Sequence, residues 1–232
     1  MGDYLLYKLF KIGALSIFIA ISLVGCGKNA QELSGKEIDQ NSQVSASEGT
    51  RDSKIKENSN PGPGEIGHII KDDRGTAELI KIEEFNETIE LDPVIFSIET
   101  MEIFELTELS EEYANQMSHF TDREIDPKEG FVFLQVTSNL ENTKDQYVTF
   151  EGIDKIVTNK GQQIDGWQSD FIEDASELKG DLMGKVNGPM YDGFILNEKD
   201  ISTLKFFTSD VTEQDTYDLI ANGKEVTLTF EH

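Results

Sequence analysis

Four short stretches carry residue types whose spacing could support chemistry. The first, Leu23-Val24-Gly25-Cys26, sets the one cysteine of the 232 residues directly behind the chain's long apolar run. A thiolate at that place would be a nucleophile at a membrane surface. The second, GPGEIG from Gly62 to Gly67, matches a dinucleotide-binding fingerprint on paper. That chemistry needs a strand before the loop and a helix after it, so that backbone amides meet a pyrophosphate. Here a polar segment precedes it and Pro61 and Pro63 interrupt it, so it reads as the end of a linker. The third, DREIDPKEG, places Asp122, Glu124 and Asp126 at the spacing of an EF-hand loop. Pro127 and Phe133 stand where that loop needs glycine and glutamate. An acidic turn, with weak binding of a divalent cation as the alternative, is the expectation. The fourth gathers Asp165, Asp170, Glu173 and Asp174 around Trp167, with the same two readings.

Other catalytic patterns are absent from the sequence. His68, His119 and His232 are isolated and form no zinc-binding pair. There is no G-x-S-x-G, no phosphate-binding P-loop, and no thiol beyond Cys26. Acidic pairs are too many for any one to mark a glycosidase. The chain reads as no enzyme, and no cofactor is expected.

The residues before Cys26 give that thiol its context. Lys8 and Lys11 precede fourteen uncharged residues, Ile12 to Gly25. Crossing a bilayer takes about 20 apolar residues, whereas fourteen behind a basic segment suits a cleaved signal peptide. Leu23-Val24-Gly25-Cys26 resembles the lipobox of bacterial lipoproteins at all four positions. The resemblance implies a diacylglyceryl group on the Cys26 sulfur, then cleavage before Cys26. Two acyl chains suffice for stable anchoring, where one does not. The expected location is the outer face of the cytoplasmic membrane.

Composition divides the remainder of the chain in two. Residues 26–64 hold six acids, five bases and no aromatic side chain, and they lack any hydrophobic period. Such a segment cannot bury enough apolar surface to offset ordering and reads as a disordered tether with a reach of about 35 Å. From Glu65 on, 38 acids face 13 bases, so residues 65–232 carry nearly all of the formal charge of −25. That surface repels nucleic acid and anionic lipid head groups. With a single cysteine, no internal disulfide can form.

Within 65–232 the elements are mostly strands. Residues 76–82, 88–91 and 93–106 are rich in β-branched and aromatic side chains, and 131–142 is the strongest strand of all. Strands follow within 147–163, broken at Gly152 and turning at Asn159-Lys160-Gly161, and again near 191–196, 201–208 and 224–231. Leu109, Tyr113, Met117 and Phe120 recur at helical spacing behind Ser110 as cap, which predicts one helix. Short strands with frequent turns and one short helix indicate an antiparallel β-sandwich. Residues 165–190, with four glycines, read as a long connection of the kind that carries function. Trp167, Phe171 and Tyr191 are its candidate interaction surface.

The stretch from Gly130 through Ile164, with GKVNGPMYDGFIL at 184–196, resembles a family of uncharacterised Gram-positive lipoproteins with a telokin-like extracellular domain. That resemblance implies an immunoglobulin-like β-sandwich at the cell surface and supplies no catalytic residues. The expected function is a non-catalytic binding module for an unknown protein or cell-wall partner. A cation- or small-ligand-binding accessory using acidic loops is the alternative. Replacing Cys26→Ser should leave the precursor uncut and move the protein out of the membrane fraction. Unchanged mass and unchanged fractionation would sink the anchor.

Overall fold

The computed structural model describes residues 60–172 and 178–231. Residues 1–59, which hold the expected signal peptide, Cys26 and most of the expected tether, lie outside the described residues, as do residues 173–177, with Glu173 and Asp174, and His232. Along the chain come β1 (Ile69–Lys71), β2 (Thr76–Leu91), β3 (Val94–Thr107), the helix α1 (Glu111–Met117) and β4 (Phe131–Asn142). Next are β5 (Tyr147–Phe150), β6 (Ile153–Thr158), β7 (Gln163–Asp165), β8 (Gly180–Met183) and β9 (Val186–Leu196). The last are β10 (Thr203–Thr208), β11 (Val211–Glu213), β12 (Leu219–Ala221) and β13 (Glu225–Thr229).

One layer is an antiparallel sheet in the order β1-β2-β3-β4-β9. The other is built from two four-stranded antiparallel sheets, β13-β10-β6-β7 and β12-β11-β5-β8. They are halves of one bent layer. β5 continues into β6, β10 into β11 and β12 into β13 at matching places in the two orders, and the chain turns a corner at each break. The break is fastened where Ser209 N donates to Gly152 O at 2.9 Å and Glu151 N donates to Ser209 Oγ at 2.9 Å. The outer edges of the halves, β7 and β8, diverge at this corner.

The main core lies between the layers. Phe96 and Phe150 meet edge to face at 5.6 Å, with Leu134, Phe194, Leu204 and Phe206 buried around them. A smaller core lies on the far side of the first sheet, where α1 covers one end. Ser110 caps α1 by accepting Tyr113 N at 3.3 Å, and Leu109, Tyr113 and Met117 are buried against Phe104, Phe131 and Phe133. This double cover explains the sequence of β4. Its first four residues, Phe131 to Leu134, are all buried because both faces are covered there. Farther on, buried and half-buried positions alternate, as a strand with one open face requires.

Several expectations change. Residues 76–82 and 88–91 are one strand, β2, which absorbs the intervening polar residues through register shifts at Leu79/Lys81 and Glu84/Glu87. Residues 165–190 are not one long connection, because β8 and the first half of β9 occupy 180–190. Their glycines and Pro189 weaken local strand propensity, but pairing with β5 and β4 supplies the backbone partners regardless. Asn60 to Gly64, which composition places in the tether, are already fastened. Asn60 exchanges hydrogen bonds with the Ile69 backbone at 2.7 and 2.8 Å, and GPGEIG forms a turn that leads into β1 with no helix. The mainly antiparallel β class with one short helix stands.

Gly130 opens β4 with φ +70°, and a Cβ there would lie 1.8 Å from the Leu106 carbonyl oxygen. Gly130→Ala should therefore cost about 2–3 kcal/mol or more. Thermal unfolding should show a drop of several degrees, and an unchanged midpoint would refute the steric account.

Candidate functional site

The corner of the bent layer opens into a cleft of ≈ 390 Å³ lined by Glu151, Ile153, Asp154, Trp167, Lys179, Gly180, Asp181 and Ser209. Its existence follows from the backbone. β7 pairs only with β6, and β8 pairs only with β5, so the gap between these edges is left to side chains. Trp167 stands at the mouth, 62% exposed. Asp165 Oδ1 fixes its turn by accepting Trp167 N at 3.0 Å and Gln168 N at 2.8 Å.

Under the cleft lies a buried ionic cluster. Lys179 Nζ donates to Asp170 Oδ2 and to Asp192 Oδ1, each at 2.6 Å, and both carboxylates are fully buried. Asp192 comes from β9, on its core-facing side between Met190 and Phe194. Asp170 comes from the segment that runs along the open edge of β9. That segment forms a single bridge with Phe194, and Phe171 N donates to Gly193 O at 3.1 Å. Asp170 Oδ1 accepts Gly193 N at 2.8 Å and Ile172 N at 2.9 Å. The approach is this close only because position 193 has no side chain. A Cβ there would lie 2.5 Å from the Ile172 side chain.

The electrostatics follow from burial and proximity. Burial, then the charge of Asp192, push the Asp170 carboxyl up to about 6, against the pull of Lys179. Burial likewise raises Asp192, whose second oxygen has no hydrogen-bond partner among the described residues. Burial alone would lower Lys179, but the two carboxylates outweigh it and hold the ammonium above its usual range. Lys179 is thus a fixed positive charge at the base of the cleft, neither a base nor a nucleophile. The carboxyls are sealed beneath it and cannot touch a ligand in the cleft.

The sequence-proposed residues separate. Trp167 is at the cleft. Phe171 is half-buried in the smaller core, 5.2 Å from the Phe133 ring and 6.2 Å from Phe120, so it anchors the segment and offers no free ring. Tyr191 is half-buried on β9 opposite Thr137. Asp122 and Asp165 line a second depression of ≈ 360 Å³ with His119 and Gln168, while Asp126 Oδ1 is taken by Lys128 N at 2.7 Å. Among the described residues, no group of three or more His, Cys, Asp or Glu is arranged to hold a metal ion. No described helix is long and apolar enough to cross a membrane. Lys179 and Asp192 were missed in the sequence, because their partnership spans 13 residues and depends on the course of β9. The one available signal was an Asp inside the apolar strand YDGFIL.

No family model matches the chain. The chain is 26% identical over 242 aligned positions to the uncharacterized protein YdhF of Bacillus subtilis (strain 168), covering 93% of this chain and 98% of YdhF. Among solved structures, a conserved hypothetical protein from Bacillus anthracis covers 61% of this chain and 98% of its own, at 12% identity and a TM-score of 0.31.

The cluster makes stability depend on pH in a defined direction. An unfolded aspartate titrates near 3.8, below the folded value near 6. Between those values the folded chain binds more protons than the unfolded chain, so this cluster gains stability as pH falls from about 7 to about 4. Relative to wild type, Asp192→Asn should show a smaller gain in melting temperatures measured from pH 4 to 8, because the charge of Asp192 is gone while the burial of Asp170 remains. Lys179→Met should cost on the order of 3–5 kcal/mol at neutral pH, since it strands two buried carboxylates. A neutral effect of Lys179→Met would mean the cluster is not buried as described.

Proposed function

We propose that this chain is a lipid-anchored surface protein whose β domain is a non-catalytic binding module with its recognition site at the Trp167 cleft. In this reading, diacylglyceryl-Cys26 holds the protein on the outer face of a Gram-positive cytoplasmic membrane. The lipobox resemblance supports the anchor. The two antiparallel layers support an immunoglobulin-like, telokin-like sandwich as the finer description of the fold.

The observation that carries the binding reading is the exposed indole over a walled cleft. An indole at 62% exposure leaves most of its apolar area in water, which does nothing for folding. Around it stand Glu151, Asp154 and Asp181, with Ser209 as a hydroxyl partner. A ring face beside carboxylates suits an ammonium or guanidinium group, through cation–π contact and charge-assisted hydrogen bonds. Lys179 at the base sets a limit on depth, because its ammonium repels a cation pushed inward. The cleft volume lies in the range of small-molecule pockets, which favours a small or side-chain-sized ligand as the second reading.

Trp167 is the only tryptophan, so intrinsic fluorescence reports on this cleft directly. Titrating the purified full chain with arginine- and lysine-containing di- and tripeptides should shift the emission to saturation, and acidic peptides should not. Trp167→Ala should weaken that binding about tenfold, as loss of one cation–π contact implies. Emission that ignores every basic ligand, with equal capture of surface extract by wild type and Trp167→Ala, would overturn the cleft as the site.

A further inference from the structure

We infer that the end of the domain opposite the incoming chain is a separate docking face for a protein partner with an apolar centre and a basic rim. The face adjoins the Trp167 cleft at Asp181, and its apolar side chains are not among those that line the cleft. It gathers four of the large apolar side chains that remain in water: Tyr147 at 52% exposure, Met183 at 64%, Leu219 at 54% and Tyr217 at 75%. Tyr147 and Met183 are direct cross-strand partners on β5 and β8. Leu219 of β12 lies opposite Thr212 of β11, which in turn lies opposite Thr149 of β5. These residues share the outer face, because their alternates Val148, Phe150, Leu182 and Val211 fill the main core.

Tyr217 belongs to the same face through the turn between β11 and β12, where Gln214 N donates to Tyr147 O at 3.4 Å. Its backbone holds φ +60°, a region that favours glycine. The turn is fastened around it. Glu213 Oε2 accepts Asp215 N at 3.0 Å and Thr216 N at 2.7 Å, and Tyr217 N donates to Glu213 O at 2.9 Å. An aromatic ring placed in water by an unfavourable backbone angle contributes nothing to folding.

Position and charge select the partner. Asn60, where the preceding chain joins, is bonded to Ile69, opposite Glu78 in β2. The face lies by Asn142, whose Nδ2 donates to Gly184 O at 2.9 Å, at the Leu91–Val94 end of the same sheet. About thirteen residues of β2 separate the two ends, about 40 Å at ~3.3 Å per residue. The face therefore points away from whatever holds the chain's N-terminal side. Exposed Asp145, Asp181, Asp215 and Asp218 surround it; Lys144 is taken up by Asp92, leaving Lys185 as the basic neighbour. A second copy would set this acidic rim against its own image in a chain of charge −25, and an anionic bilayer is repelled likewise. A surface with lysines and arginines around apolar residues meets both parts of the face.

The test uses the purified full chain and a fluorescently labelled amphipathic helical peptide of leucine and lysine, with its leucine–glutamate counterpart as control. Anisotropy should show saturable, salt-sensitive binding of the lysine peptide and none of the glutamate peptide. Measured in the Trp167→Ala background, so that the cleft contributes nothing, the added double variant Tyr217→Ser/Met183→Ser should bind at least tenfold more weakly with an unchanged melting temperature, while an added Ile66→Ser, at an exposed apolar side chain outside both surfaces, should bind as its parent does. Equal binding by the double variant would overturn the assignment. So would self-association in sedimentation, or binding to phosphatidylglycerol vesicles, that the double variant abolishes, since the occupant would then be a second copy or a membrane.

Discussion

Two buried aspartates facing one lysine fix how the segment after β7 lies against β9. Lys179 ends the segment that leaves β7, Asp170 lies within it, and Asp192 belongs to the central part of β9. Their contact ties the open edge of β9 to the start of β8. It fixes the turn that carries Trp167 and the strand that carries Met183. No disulfide can take this role in a chain with one cysteine. A buried ion pair contributes little net stability over apolar packing, but it tolerates only one arrangement of its partners. Removing Lys179 leaves two carboxylates without a counter-charge in a low-dielectric interior, whereas removing either aspartate leaves one ion pair in place.

The bent layer turns that constraint into surface. Its two halves share three continuous chain stretches and part company only at the outer edges, β7 and β8. The cleft occupies the parting, and the apolar face occupies the outside of the half that includes β5, β8, β11 and β12. Asp181 lines the cleft and rims the apolar face, so the two surfaces are neighbours while their aromatic side chains come from different turns. The acidic excess surrounds both. Charge of one sign makes copies of the domain repel one another, and it is the basis on which cationic ligands are proposed for both surfaces.

Much of the first sheet was legible along the chain. Ser110, the acids at 111 and 112, and the Leu109/Tyr113/Met117 spacing specify α1 locally, and the structure has it where those residues place it. β4 was legible to its boundaries because its apolar residues are dense and its ends are punctuated by Gly130 and Asn142. Residues 165–190 were misread because glycine and proline signal loops, while the strands there are held by partners far away in sequence. Phe171 was equally ambiguous. Nothing in its neighbours distinguishes a ring for recognition from a ring for packing, and contact with Phe133 decides it.

The chain by itself determined what local chemistry can state. It specified an apolar run ending at a lone thiol, a polar segment after it, an acidic mostly β domain, one capped helix, and the lack of any recognised catalytic pattern. Those features depend on residue type and near spacing, and so they can be read in one dimension. Only the tertiary structure decided that Lys179 sits between Asp170 and Asp192, that Trp167 stays in water while Phe171 does not, and that four exposed apolar side chains lie on one half of the bent layer. Each of those depends on which strand edges lie open after all the others have paired, and that is a property of the whole fold.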